Sequence, residues 1–280
     1  MRVYISIDME GVAGVATLDQ VVRGGHGYLR AQHLMTAEAN AAVSGAFAAG
    51  ADAVTINDSH GTMDNLLHEE LDPRARLVFG APKLDCMCAG ISGEFDVAMF
   101  LGYHAPAGAD GVLAHTYSSH FVGVRLNGAM TSEAELNGLQ AAAVGVPVGV
   151  LTGDNVICEI AAAQFPGIRT VTVKTAVGHF AADSLSPAAA CERIRNAAFE
   201  SVSDGGAAPV SLQAPLVLEI DMPTPVAAEL GALMPTIERL SSFTLRGTFE
   251  TPRDALGFVM LCSELASSGL RAKLPLLNRV

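Results

Sequence analysis

Two hundred and eighty residues allow one large domain or two, with chain enough to bury a sizeable core. Half of the residues are hydrophobic and 16% are charged, which excludes an intrinsically unfolded chain. Lys+Arg 17 against Asp+Glu 29 leaves a formal net charge of −12, so the surface repels nucleic-acid phosphates and anionic lipid, and neither is expected as a partner.

The first predicted strand is the β-branched run Val3–Ile7. Gln32–Ala49, rich in Ala, Leu, Met and Glu and closed by Gly50, predicts a helix with a glycine C-cap. Strands are expected at Ala53–Asn57, more weakly at Leu77–Phe79, and at Val97–Leu101. The run Thr131-Ser132-Glu133-Ala134-Glu135 opens a helix to about Val144 with a hydroxyl residue as N-cap. A strand at Val146–Leu151 and a helix at Asp154–Gln164 follow. Ser186-Pro187 then opens a helix to about Phe199. Ser201–Gln213 reads as a linker, after which come Leu216–Ile220, Ser242–Thr248 and a last helix near Asp254–Ala266. Strands alternating with helices predict an α/β fold, a largely parallel sheet flanked by helices, with a smaller C-terminal α+β region. The expected division is a larger domain, 1–205, and a C-terminal region, 206–280, packed on it.

A mean hydropathy of +0.35 raises the question of membranes. The longest charge-free apolar tract, Leu136–Gly153, nevertheless contains Asn137, Gln140 and Pro147 and is no lipid span. The N-terminus lacks the pattern of a secretion signal, and five cysteines, an odd number, read as reduced buried thiols. A cytoplasmic protein is expected.

In an open α/β sheet the loops beyond the carboxyl ends of the strands meet on one rim, where ligands bind. Three predicted strands end there in metal-competent side chains: Asp8 and Glu10 after the first, His60 after the second, His104 after the Val97 strand. Asp8 and Glu10 are two apart and point to the same side, roughly 7 Å apart at Cα. Either histidine alone would read as an ordinary core or surface residue; their joint occurrence at successive strand ends favours a site. No Lys or Arg lies in these segments to neutralise the carboxylates, so a metal is expected, and mixed carboxylate and imidazole donors favour zinc. Two divalent ions and a bridging hydroxide balance three carboxylates, where one ion does not.

The strings SIDMEG at Ser6–Gly11, NDSH at Asn57–His60, LGYHA at Leu101–Ala105, GVLAHT at Gly111–Thr116 and EAELN at Glu133–Asn137 resemble, in order and spacing, the motifs of the DppA-type zinc D-aminopeptidases. LMP at Leu233–Pro235 fits as well. The resemblance implies a cytoplasmic bacterial aminopeptidase with two zinc ions per subunit, assembled as a decamer. It places the metal ligands on Asp8, bridging both ions, Glu10, His60, His104 and Glu133, and the catalytic nucleophile on His115. Read without it, Glu133 is a carboxylate favoured by a helix N-terminus and His115 a loop histidine. Proton transfer suits an imidazole better than nucleophilic attack does.

Asp58 and Ser59 are expected to orient the loop or to accept from a ligand imidazole. His120 is a candidate for the mouth of the site. Lys174, after a Thr170–Val173 strand, is a candidate for a substrate carboxylate, with an exposed lysine as the plainer reading. His26, His33, His68 and His179 are assigned to the surface. The expected reaction is hydrolysis of the N-terminal amide bond of a short peptide or amino acid amide, and the resemblance implies substrates that contain D-amino acids. The alternatives are an amidohydrolase for a non-peptide amide and a metal-stabilised peptide-binding protein without turnover.

Overall fold

The computed structural model describes residues 1–277, with side chains through residue 272. In chain order the elements are β1 Arg2–Ile7, α1 Leu18–Val21, α2 Tyr28–Ala48, β2 Ala53–Asp58, β3 Ala75–Val78, β4 Val97–Tyr103, β5 Gly123–Leu126, β6 Ala129–Met130, α3 Glu133–Ala143, β7 Val148–Asp154, α4 Asn155–Gln164, β8 Arg169–Gly178, β9 Ala181–Ser184, α5 Pro187–Asp204, β10 Leu216–Asp221, α6 Pro225–Gly231, β11 Ile237–Arg239, β12 Thr244–Phe249 and α7 Pro252–Leu277. They fall into two compact units. The first comprises 1–105, 110–113 and 137–212, the second 106–109, 114–136 and 213–280.

The first unit is built on a seven-stranded sheet of order β3-β2-β1-β4-β7-β8-β9, parallel except for β9, as expected of the α/β class. The chain winds outward from β1 to β3, then returns to the other side of β1 at β4, so strand order reverses between β1 and β4. Loops leaving the two strands there diverge and open a crevice. Val3, Ile5 and Ile7 of β1 face an apolar core shared with α2 and α5. Tyr4 and Ser6, on the opposite pleat, bond to main-chain carbonyls of the Cys86–Cys88 turn and its neighbour Ala89. Burial on both faces is what a parallel sheet requires, and it explains the near-continuous apolar runs.

The second unit carries a five-stranded sheet of order β11-β12-β10-β5-β6, its pairs antiparallel. Leu218, Ile220 and Leu245 face inward, with Ala227, Ala228, Val259 and Cys262 from α6 and α7. An Asn127-Gly128 turn, both residues at positive φ, joins β5 to β6.

Boundaries differ from the sequence reading where tertiary packing decides them. The helix expected from Gln32 begins at Tyr28, whose ring is buried. The helix expected to end at Phe199 runs to Asp204, because Ser201 and Val202 are buried on its inner face. Only 205–213 of the expected linker is irregular. Gly50 closes α2 as expected, at φ 92° with its N–H on the Phe47 carbonyl. Among the described residues no helix is long and apolar enough to cross a membrane.

Candidate metal centre

The sheet delivers four of the expected ligands to one rim of the first unit. Asp8 follows β1 and His104 follows β4, on the two sides of the reversal in strand order, and His60 follows β2. Two glycines bring the first two segments into contact. Gly11 donates to the Gly102 carbonyl at 2.7 Å and Asp8 N–H to the Leu101 carbonyl at 2.9 Å. A Cβ on Gly11 would lie 1.9 Å from the Tyr103 oxygen, and one on Gly102, itself at φ 65°, 2.2 Å from the Asp8 oxygen. No side chain other than hydrogen fits at either position.

Asp8 stands between the two imidazoles with one oxygen toward each: Oδ1 is 3.1 Å from His60 Nδ1 and Oδ2 is 3.3 Å from His104 Nε2. Glu10 Oε2 lies 2.8 Å from the same His60 nitrogen. All four side chains are buried. Donor atoms of Asp8, Glu10 and His104 lie within 4.8 Å of one another.

The second nitrogen of each ring fixes its tautomer. His60 Nε2–H donates to the Val21 carbonyl at 2.7 Å, and His104 Nδ1–H to the Ala105 carbonyl at 3.0 Å, since a carbonyl can only accept. In the neutral rings the remaining nitrogens are lone pairs aimed at carboxylate oxygens. That arrangement repels itself unless a proton or a metal cation sits between, and a ring tied through its other nitrogen is how proteins present histidine to metals. Burial pulls the His60 pKa down, but the Glu10 and Asp8 carboxylates outweigh it and hold the imidazole well above its ordinary range. The centre therefore attracts positive charge, and its donor set of carboxylates and imidazoles suits zinc.

Beneath the ligands the remaining motif residues form one hydrogen-bond chain of fixed polarity. Asn137 Nδ2 donates to Tyr103 Oη at 3.1 Å, Tyr103 to Ser6 Oγ at 2.7 Å, and Ser6 to the Met87 carbonyl at 2.8 Å. Ser59 joins at Ser6, 2.7 Å away, and Asn57 reaches both Ser59 and the Met87 carbonyl. Asp58 anchors the loop after β2: its oxygens accept from Asn65 N–H at 2.6 Å, Leu66 N–H at 2.8 Å and Asn65 Nδ2 at 2.7 Å. It also accepts from the main-chain N–H of His60 at 3.4 Å, which makes it a loop-orienting residue.

In the second unit His115 Nε2 lies 3.8 Å from Glu133 Oε1, and Glu133, first residue of α3, accepts from the Tyr117 N–H. Ser132 and Glu135 cap this helix reciprocally, Ser132 N–H on Glu135 Oε2 at 2.8 Å and Glu135 N–H on Ser132 Oγ at 3.2 Å. Leu113 and Tyr117, two residues to either side of His115, both hold left-handed φ, 54° and 59°. Backbone in that region is strained for side chains of this size and is retained at sites that need a fixed presentation. His120 is exposed, with its N–H on Ser118 Oγ, and His26, His33, His68 and His179 are exposed as expected.

Lys174 departs from the sequence reading. It is 2% exposed, neither a surface lysine nor open to a substrate carboxylate, and its ammonium donates to main-chain carbonyls of the loop after β1. Burial lowers its pKa to about 8, against the raising influence of Glu38, Asp154, Glu10 and Asp8. Sequence reasoning missed Glu38 altogether: on α2, 2% exposed, it accepts from Ala13 N–H at 2.8 Å through Oε1, while Oε2 is buried without a hydrogen-bond partner. Its one sequence signal was a carboxylate at a helix position that otherwise faces the core.

The chain matches the D-aminopeptidase peptidase family over residues 1–261. A D-aminopeptidase of Bacillus subtilis (strain 168) is 34% identical over 271 residues, covering 95% of this chain and 98% of that protein. The solved structure of the Zn-dependent D-aminopeptidase DppA from Bacillus subtilis, a self-compartmentalizing protease, agrees with a TM-score of 0.91 at 31% identity, over 95% of this chain and 98% of that one. Family model, sequence and fold agree across nearly the whole length, and the chain belongs to the D-aminopeptidase family.

Proposed function

We propose that this protein is a zinc aminopeptidase that removes the N-terminal residue, preferentially a D-amino acid, from short peptides and amino acid amides. The observation that carries the reading is the placement of Asp8 between two buried imidazoles whose other nitrogens are committed to carbonyls. In this reading Asp8, Glu10, His60, His104 and Glu133 would hold two zinc ions, with Asp8 contributing to both. Bound zinc supplies the Lewis acidity that amide hydrolysis needs.

The protein's own groups do the rest. Val21 and Ala105 carbonyls keep the two ligand rings in the tautomer that offers a lone pair to the metal. Glu133 accepts the Tyr117 N–H, and its Oε1 lies 3.8 Å from His115 Nε2; in this reading the imidazole hands a proton to the leaving amine. On the same reading His115 acts as a general acid and base in preference to a nucleophile, since an imidazole suits proton transfer. In this reading the protein works in the cytoplasm as a homo-oligomer, a decamer, with 206–280 contributing to assembly; the relative's description as self-compartmentalizing supports the homo-oligomer.

The test is amine release from matched D- and L-alanyl amides, short peptides and non-peptide amides by the zinc-loaded protein. Faster release from D-alanyl amide, abolished by chelation and restored by zinc, is expected. Hydrolysis of the non-peptide amides alone would make it an amidohydrolase, and binding without release a peptide-binding protein.

A further inference from the structure

The loop that carries Glu10 has no regular structure, and one buried cation gathers it. Between Glu10 and Val15 the backbone turns repeatedly, and three of its carbonyls, those of Glu10, Val12 and Val15, converge on Lys174 Nζ. The Val12 and Val15 contacts are 3.0 and 2.6 Å. An ammonium has three N–H donors and no acceptor, so this set uses all of them. The lysine comes from β8, separated from β1 by two strands, β4 and β7, and a register shift there separates the pairs Gly153↔Thr172 and Asp154↔Lys174. Around the loop, Ala13 N–H is held by Glu38 and Gly14 N–H by Ser184 Oγ at 2.9 Å.

We propose that Lys174 is a positioning residue: by tying three main-chain carbonyls of the Glu10–Val15 loop to one point it sets Glu10 and Asp8 for metal binding, and it makes no contact with substrate. The inference rests on the zinc-site reading above.

Charge and position make opposite demands, which gives the test its sign. Lys174→Met removes a cation beside a cation-binding centre, so a purely electrostatic role predicts tighter zinc binding. A positioning role predicts weaker binding, by about 10- to 100-fold, the usual loss when support of a metal ligand is removed. Zinc affinity is read by competition with a chromophoric chelator on the full-length protein, beside wild type. Lys174→Gln, which retains two N–H donors, is expected to fall between the two and serves if the methionine variant fails to fold. Turnover should fall equally on D-alanyl peptides and D-alanyl amide, with KM little changed. Unchanged or tighter zinc binding in both variants overturns the proposal, as does a KM increase confined to substrates with a free carboxylate, which would place Lys174 on substrate. Failure of wild type to bind zinc at all would instead remove the metal reading beneath it.

Discussion

Replacing Gly102 by alanine tests whether the metal ligands are placed by backbone contact. Gly102 sits at φ 65°, and an added Cβ would lie 2.2 Å from the main-chain oxygen of Asp8 and 3.0 Å from its carbonyl carbon. The left-handed conformation costs an alanine about 1–2 kcal/mol. Forcing backbone apart in a packed interior adds about 1–3 kcal/mol. Together these come to roughly 2–5 kcal/mol, or a fall of roughly 4–20 °C in Tm for a chain of this size. The strain is relieved by moving the Asp8 backbone, so zinc affinity should fall along with stability. Gly50→Ala is the control: its φ is 92° but nothing lies within 4 Å of an added Cβ, so only the conformational cost applies and zinc affinity is retained. Scanning calorimetry on the metal-free proteins and zinc competition on the same samples give both quantities. If the two variants lose the same stability and bind zinc alike, contact between the strand ends does not place Asp8.

Asp58→Ala removes a carboxylate that accepts from Asn65 and Leu66, and is expected to cost about 2–5 kcal/mol in urea unfolding and to weaken zinc binding through His60. Burial raises the Glu38 pKa from 4.5 to about 7, with the Ala13 N–H and Lys174 acting against it. The folded state thus holds a proton that the unfolded state has released, so this residue makes stability decline as pH rises from about 4.5 to 7, by about 3 kcal/mol at most. Glu38→Gln should flatten that decline in metal-free protein, and an unchanged slope would show that Glu38 does not titrate so. His115→Ala is expected to keep its fold and its zinc while losing about 10² to 10⁴ in turnover, as a general acid or base should; a metal-free, unstable variant would make His115 a ligand.

Much of this was legible because strand ends are legible. A β-branched run that stops at Asp8, Asn57 or Tyr103 announces its carboxyl end, and in a parallel sheet those ends share a rim. The sequence carries no sign of which strand lies beside which, so the reversal between β1 and β4 emerged only from the fold. Ser6, Tyr103 and Asn137 lay inside recognised motif strings, yet their chain of hydrogen bonds spans 34 to 97 residues in sequence and no local pattern encodes it. Lys174 was misjudged because local polarity says surface, and only the convergence of three distant carbonyls makes its burial affordable. The β5–β6 hairpin was overlooked although Asn127-Gly128 is the strongest short-range hairpin signal available.

The measurement that bears most directly on the centre is zinc per chain by elemental analysis of wild type, His60→Ala and Asp8→Ala, each purified without chelator and dialysed alike. With Asp8 shared between two ions, wild type should hold about two, His60→Ala should retain one much better than the other, and Asp8→Ala should hold almost none. Wild type with no zinc and full activity, or Asp8→Ala with the same metal content as wild type, would contradict the account.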